Sequence, residues 1–328
     1  MEGNIVMIKI LSIDGGGIRG IIPAILLAEI EKRTGKPISK LFDLIAGTST
    51  GGIIALGLVK PNTTSSPQYS AERLVALYEK EGSKIFSRTF LHKVLSIDSL
   101  ISEKYTSEGI EFILKKYFDD TPISKALTDV IITSYETEGR SAWFFKSRDI
   151  KSQKKGNQDF LMWKVARATS AAPTYFEPAK IHDKLNNKSF SFIDGGVFAS
   201  NPSMCAYVEA TSIYGKDEDI MVLSLGTGER ASPLLYNDLK NWGLANWAQP
   251  LLGVVFDGIN DTVDYQLRQL LPSKNGFNRY YRFQTRLDKK NDEMDDASKS
   301  NIEDLKRLAY ELIIKNNWLI ATLCKQLV

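Results

Sequence analysis

Histidine is almost missing from this chain: His92 and His182 are its only two. A serine, acid, histidine triad of the α/β-hydrolase order needs a histidine late in the fold, and nothing after His182 supplies one. His182 itself lies in a polar stretch, Lys180 to Lys188, that reads as a loop ahead of the last strands, and His92 falls between two predicted helices. Cysteine is equally scarce. Cys205 and Cys324 are too few for a disulfide framework or a zinc knuckle, and their spacing is not that of metal ligands, so both read as small buried residues in a reducing compartment. Excess charge is lacking too: 42 basic against 39 acidic side chains leave +3, which marks no nucleic-acid binder. No apolar run approaches the roughly 18 residues that would span a bilayer. Met1 to Ile10 shows neither a charged n-region nor a small-residue cleavage site, so no signal peptide is expected. These absences predict a cytoplasmic protein without metal or cofactor whose membrane contact, if any, is peripheral.

What is present is glycine at chosen places. In Ile45-Ala46-Gly47-Thr48-Ser49-Thr50-Gly51-Gly52 a serine stands between two glycines at G-x-S-x-G spacing. The apolar run Phe42 to Ile45 before it reads as a strand, and Ile53 to Val59 after it as a helix. Such a turn strains the serine backbone, which neighbours without a Cβ accommodate, and lifts the hydroxyl to a helix N-terminus, where it can act as a nucleophile. Earlier, Ile5 to Ile13 is a nearly continuous apolar run. It ends at Asp14 and is followed by Gly15-Gly16-Gly17-Ile18-Arg19-Gly20 and a helix-forming segment, Ile21 to Lys32, closed at Gly35. The loop also fits G-x-G-x-x-G, a dinucleotide pattern, but the only acidic residue near the required distance, Asp43, stands directly before the serine elbow.

Helices are expected over 71–86, 107–117 and 159–168, and strands over 129–134, 142–146, 190–193 and 220–225; 151–157 reads as a basic, polar loop. Phe190 to Ile193 ends at Asp194-Gly195-Gly196, which puts a carboxylate at a strand end with two glycines behind it. A carboxylate can take a serine proton directly if burial raises its pKa from about 3.9. Leu234 to Leu271, with Trp242 and Trp247, reads as an amphipathic helical region broken at Pro250. Leu287 to Lys299 reads as a loop, and Ser300 to Glu303 as a capping box that opens a final helix.

Together, Asp14-Gly15-Gly16-Gly17-Ile18-Arg19-Gly20, Gly47-Thr48-Ser49-Thr50-Gly51 and Asp194-Gly195-Gly196 resemble the patatin-like phospholipases, which are related in mechanism to cytosolic phospholipase A2. Ser170-Ala171-Ala172-Pro173 and Leu225-Gly226-Thr227-Gly228 extend the resemblance over about residues 7 to 230. It implies an α/β fold, a three-layer α/β/α sandwich with a mainly parallel central sheet, in one domain spanning 1–328 whose residues from about 231 onward form a C-terminal helical cover. It further implies a lipid acyl hydrolase that acts on ester bonds of membrane glycerolipids. By resemblance Ser49 is the nucleophile and Asp194 its base; Gly15, Gly16 and Gly17 offer the oxyanion hole and Arg19 steadies their loop. The implied partners are a phospholipid or other glycerolipid and a peripheral membrane surface. Two other readings accompany this one: an effector phospholipase switched on by a cyclic nucleotide or similar small molecule, and a non-catalytic lipid-binding protein.

Overall fold

In the computed structural model, which describes residues 7–85, 107–152, 158–183, 186–230 and 232–328, the strands with the most continuous apolar sequence lie side by side. β1 (Ile8–Ile13) pairs in parallel with β2 (Leu44–Gly47) on one side and with β7 (Ile220–Leu225) on the other. A parallel strand has both faces covered, so near-continuous apolar sequence is what such a position demands. β3 (Asp129–Glu136) extends the parallel set beyond β2, and β9 (Tyr280–Phe283) extends it beyond β7. β4 (Ser141–Lys146), β5 (Ala179–Asp183) and β6 (Lys188–Asp194) complete the sheet in antiparallel pairings. Its order is β5-β6-β3-β2-β1-β7-β9, with β4 on β3; β8 (Glu229–Arg230) and β10 (Arg286–Leu287) form a small second sheet.

The period of two along each strand assigns residues to the two faces. Leu11, Ile13, Met221 and Leu223 point into one core. That core is shared with helices α1 (Ile21–Thr34), α2 (Thr50–Val59), α3 (Ala71–Ile85), α4 (Ser107–Phe118) and α5 (Met162–Thr169). Helices α8 (Lys299–Lys315) and α9 (Asn317–Leu327) pack on the same side. Ile8, Ile10, Ile220 and Val222 face the other way, against α6 (Ser203–Tyr214) and the C-terminal half of α7 (Leu244–Leu270). The result is the three-layer α/β/α sandwich with a mostly parallel sheet. Helix α2 is buried on every side, as its uniformly apolar sequence requires.

Four local expectations give way. The stretch 180–188 is not all loop: its residues 180–183 belong to β5, which pairs antiparallel with β6 from Lys188 onward. Its polar residues hid a half-buried edge strand: Ala179, Ile181 and Asp183 point inward while Lys180 and His182 point out. Pro250 does not break α7, which runs uninterrupted through it. One proline removes a single backbone donor, and that loss falls in the first two turns of a 27-residue helix whose Val263 and Leu267 are anchored in the core. The last long helix begins earlier than the capping-box pattern suggests, because Ser298, not Ser300, accepts the Asn301 N–H. The segment expected as helical cover also supplies β9 to the main sheet. His92 lies outside the described residues, as do 153–157 of the basic loop.

Candidate active site

The site follows from strand register. β3 is long enough to carry two partners in succession along one edge: Ile132 is opposite Gly47 of β2, and Ser134 is opposite Asp194 of β6. β2 and β6 therefore run towards each other and end within one residue of the same point. β2 leaves the sheet there through Thr48, whose hydroxyl is 2.7 Å from that of Thr133. Ser49 follows with φ 55° and ψ −124°, a conformation that a side chain rarely adopts. The packing around it forces the flanking glycines: a Cβ on Gly51 would run into the Ile13 carbonyl, and one on Gly47 into the backbone of Gly51. The Ser49 N–H donates to the Thr169 hydroxyl at 2.8 Å, so α5 also holds the bend.

Asp194 is 2% exposed. Its carboxylate accepts a hydrogen bond from the Gly196 N–H at 2.7 Å, and the Ser49 hydroxyl lies close enough to favour its ionised form. Burial pushes its pKa up to about 7, and these two donors pull it back part of the way. Serine and carboxylate thus line the same cavity side by side, with the acid titrating near neutrality.

The glycine loop after β1 forms the adjacent wall. Gly17 has φ 60°, and a Cβ there would strike the Met294 carbonyl. The three amides are not equivalent. Gly15 departs from its expected role, because its N–H donates to the Ser200 carbonyl at 2.9 Å and is occupied. Gly16 and Gly17 line the cavity, and among the described residues no acceptor faces either N–H. Arg19 is buried, and its Nε donates to the Gly16 carbonyl at 3.2 Å. Burial, then the nearby Arg230, lowers its pKa to about 10, so it keeps its charge at neutral pH. Asp14, fully buried at the end of β1, is paired with Arg282 of β9 at 2.7 Å.

From Ser49 and Asp194 a cavity extends between α3 and α4. Leu77, Ile85, Ile110, Ile113 and Leu114 make its walls apolar, and Phe256 of α7 and Met294 close its near end. Such a lining suits apolar groups and repels charge.

Neither alternative use of these motifs is assembled. Asp43 accepts the Lys9 N–H at 2.8 Å at the start of β1, the sheet edge opposite the glycine loop, and cannot reach a ribose bound there. His182 is exposed on β5, 3.3 Å from Ser189. Ser189 is five residues down β6 from Asp194, about 16 Å at 3.3 Å per residue. Among the described residues no group of three or more His, Cys, Asp or Glu side chains is placed to hold a metal ion.

A mostly parallel α/β sheet with a strained serine at a strand–helix elbow is the geometry in which a serine hydroxyl can be presented for nucleophilic attack. The comparisons narrow the class. Residues 11–207 match the patatin-like phospholipase family. Patatin-like protein 2 of Arabidopsis thaliana is 33% identical over 95% of this chain and 84% of its own length. Patatin-like protein 2 of Oryza sativa subsp. indica is 31% identical over 94% and 84%. A potato (Solanum tuberosum) relative, named probable inactive patatin-3-Kuras 1, is 29% identical over 94% and 87%. Among solved structures, VipD from Legionella pneumophila matches with a TM-score of 0.38 at 10% identity, over 93% of this chain and 67% of that one. The chain belongs to the patatin-like phospholipase family, which implies lipid acyl hydrolysis.

Sequence reasoning missed Thr169 and Arg282 as parts of this site. Thr169 opens a run of small residues that permits close backbone approach, a signal that it touches another loop. Arg282 has no such signal, since only the pairing of β9 with β7 brings it to Asp14.

Proposed function

We propose that this protein hydrolyses carboxylic ester bonds of membrane glycerolipids through an acyl-Ser49 intermediate, with Asp194 as the base. The observation that carries the reading is the placing of a strained elbow serine, Ser49, beside a buried carboxylate, Asp194, at the head of an apolar cavity. As the Ser49 oxygen attacks the ester carbonyl, its proton passes to Asp194. The carbonyl oxygen becomes an oxyanion that accepts from the Gly16 and Gly17 N–H groups, each such donor being worth about 3 kcal/mol in the transition state. Asp194 returns the proton to the departing alkoxide, then deprotonates a water that releases the fatty acid and restores Ser49. The acyl chain lies between α3 and α4.

The test is hydrolysis of a chromogenic ester by Ser49→Ala and Asp194→Asn, each checked for fold by thermal melting. Both lose activity by orders of magnitude, and the double variant is no worse than either, because groups that act as a unit give non-additive losses. Turnover by Ser49→Ala equal to wild type ends the reading.

The substrate is delivered at a membrane surface. Residues 241–256 carry no charged side chain, and Leu251, Val254 and Val255 of α7 are exposed. Phe256, next along the same helix, lines the catalytic cavity. Exposed apolar side chains on a helix that also borders an apolar cavity are suited to a bilayer interface. No helix among the described residues is long and apolar enough to cross a membrane.

A further inference from the structure

The turn after β7, Gly226-Thr227-Gly228, has no part in the chemistry above, yet it leans directly on the glycine loop. The Thr227 hydroxyl, 3% exposed with its residue, donates to the Gly15 carbonyl at 2.6 Å. Its side chain occupies the space where a Cβ on Gly16 would stand. A peptide unit is planar and trans, so its C=O and N–H point in opposite directions, and holding one aims the other. The Gly15 carbonyl shares its peptide with the Gly16 N–H, and that N–H has no acceptor among the described residues. One unit further on, the Gly16 carbonyl accepts from the Arg19 N–H and Nε, each at 3.2 Å, which aims the Gly17 N–H in the same manner.

We infer that Thr227 is a positioning residue for acyl transfer: its hydroxyl locks the Gly15–Gly16 peptide so that the Gly16 N–H faces the developing oxyanion. The inference rests on the Ser49–Asp194 reading. The turn is itself braced for the task. Gly226 N–H donates to the Phe283 carbonyl at 2.9 Å, and Gly228, with φ 103°, donates to the Gln284 side chain at 2.7 Å. Both braces come from the end of β9, and neither touches the cavity. Without the hydroxyl, a glycine–glycine peptide is free to rotate, because neither residue resists it.

The experiment compares Thr227→Val, which keeps the shape and loses the donor, with Thr227→Ser, which keeps the donor. A soluble short-chain nitrophenyl ester is the substrate, and rates are expressed per folded protein from thermal melts. A trifluoromethyl ketone, which forms an oxyanion on Ser49, is titrated in parallel. In Thr227→Val kcat falls at least tenfold with KM within twofold, and the ketone binds more weakly by the factor lost in kcat/KM. Thr227→Ser stays within threefold of wild type. Unchanged kcat in Thr227→Val overturns the inference; so does an equal loss in Thr227→Ser, or a rise in KM at constant kcat. If the valine variant does not fold, Thr227→Ala is read by the same criteria. Ser49→Ala run beside them separates the failures: activity in that variant removes the catalytic reading itself, whereas an inactive Ser49→Ala with a normal Thr227→Val removes only the role of Thr227.

Discussion

A carboxyl group with a pKa near 7 in a buried site tells its purpose through stability as well as rate. Asp194 must be ionised to accept the Ser49 proton, so kcat/KM on a soluble ester rises with pH through about 7 and levels above it. A profile that turned near pH 4 would mean that the carboxylate is not the essential base. The folded pKa lies above the unfolded reference of 3.8. Between about pH 4 and 7 the folded chain therefore holds a proton that the unfolded chain has released, and stability declines as pH rises across that window. Above it the full penalty applies, on the order of 4 kcal/mol. Asp194→Asn, although inactive, is expected to melt higher than wild type at pH 8, with the gain shrinking towards pH 4; melts at three pH values decide it. Ser49 and Asp194 were both legible from their flanking glycines. Gly15 was not, because nothing in a run of three glycines says which N–H another carbonyl occupies.

At the scale of the element, α7 meets two different surroundings. Its two halves differ: Val263 and Leu267 are buried on the sheet, while Leu251, Val254 and Val255 stand exposed. Trp242 and Trp247 stack edge to face on each other at 5.3 Å, so either tryptophan is partly satisfied by its neighbour. Replacing Leu251, Val254 and Val255 together with serine is expected to slow hydrolysis of phospholipid vesicles about tenfold or more, since each aliphatic side chain moved from water into lipid is worth about 1.5 kcal/mol or more. Hydrolysis of a soluble short-chain ester by the same variant remains within about twofold. If both substrates slow alike, or the melting point falls, the N-terminal half of α7 belongs to the core. The stripe itself was readable from helical spacing; which half of it meets solvent was not, because periodicity reports a face and not what covers it.

The whole molecule depends on its last third more than the motifs suggest. The family match ends at residue 207, yet β1 is flanked by β7, and β7 by β9, so the strand that bears the glycine loop sits inside a sheet closed by later sequence. Arg282 is the charge that this arrangement delivers. It is 6% exposed at the side chain, donates to Asp14 at 2.7 Å and to Ser224 at 2.8 Å, and holds the end of β1 against β7. Arg282→Met leaves the Asp14 carboxylate buried without its cation and is expected to cost about 3–5 kcal/mol in urea unfolding. Adding Asp14→Asn recovers part of that loss, because the uncompensated charge goes with it. Equal stability of Arg282→Met and wild type would show that the pair is not needed for the fold.

Sequence alone determined the layered α/β class, the elbow serine, the glycine loop and the strand-end aspartate, because each is written locally: continuous apolar runs demand a sheet covered on both faces, and glycine marks backbone that tolerates no Cβ. Tertiary structure decided which of these groups touch. The approach of Ser49 to Asp194, 145 residues apart in sequence, rests on β2 and β6 sharing one edge of β3. The occupied Gly15 amide, the Thr227 brace and the Arg282 counter-charge likewise arise where chain ends converge. No local pattern encodes them, since register and strand order are set by the burial of the whole core and not by any one segment.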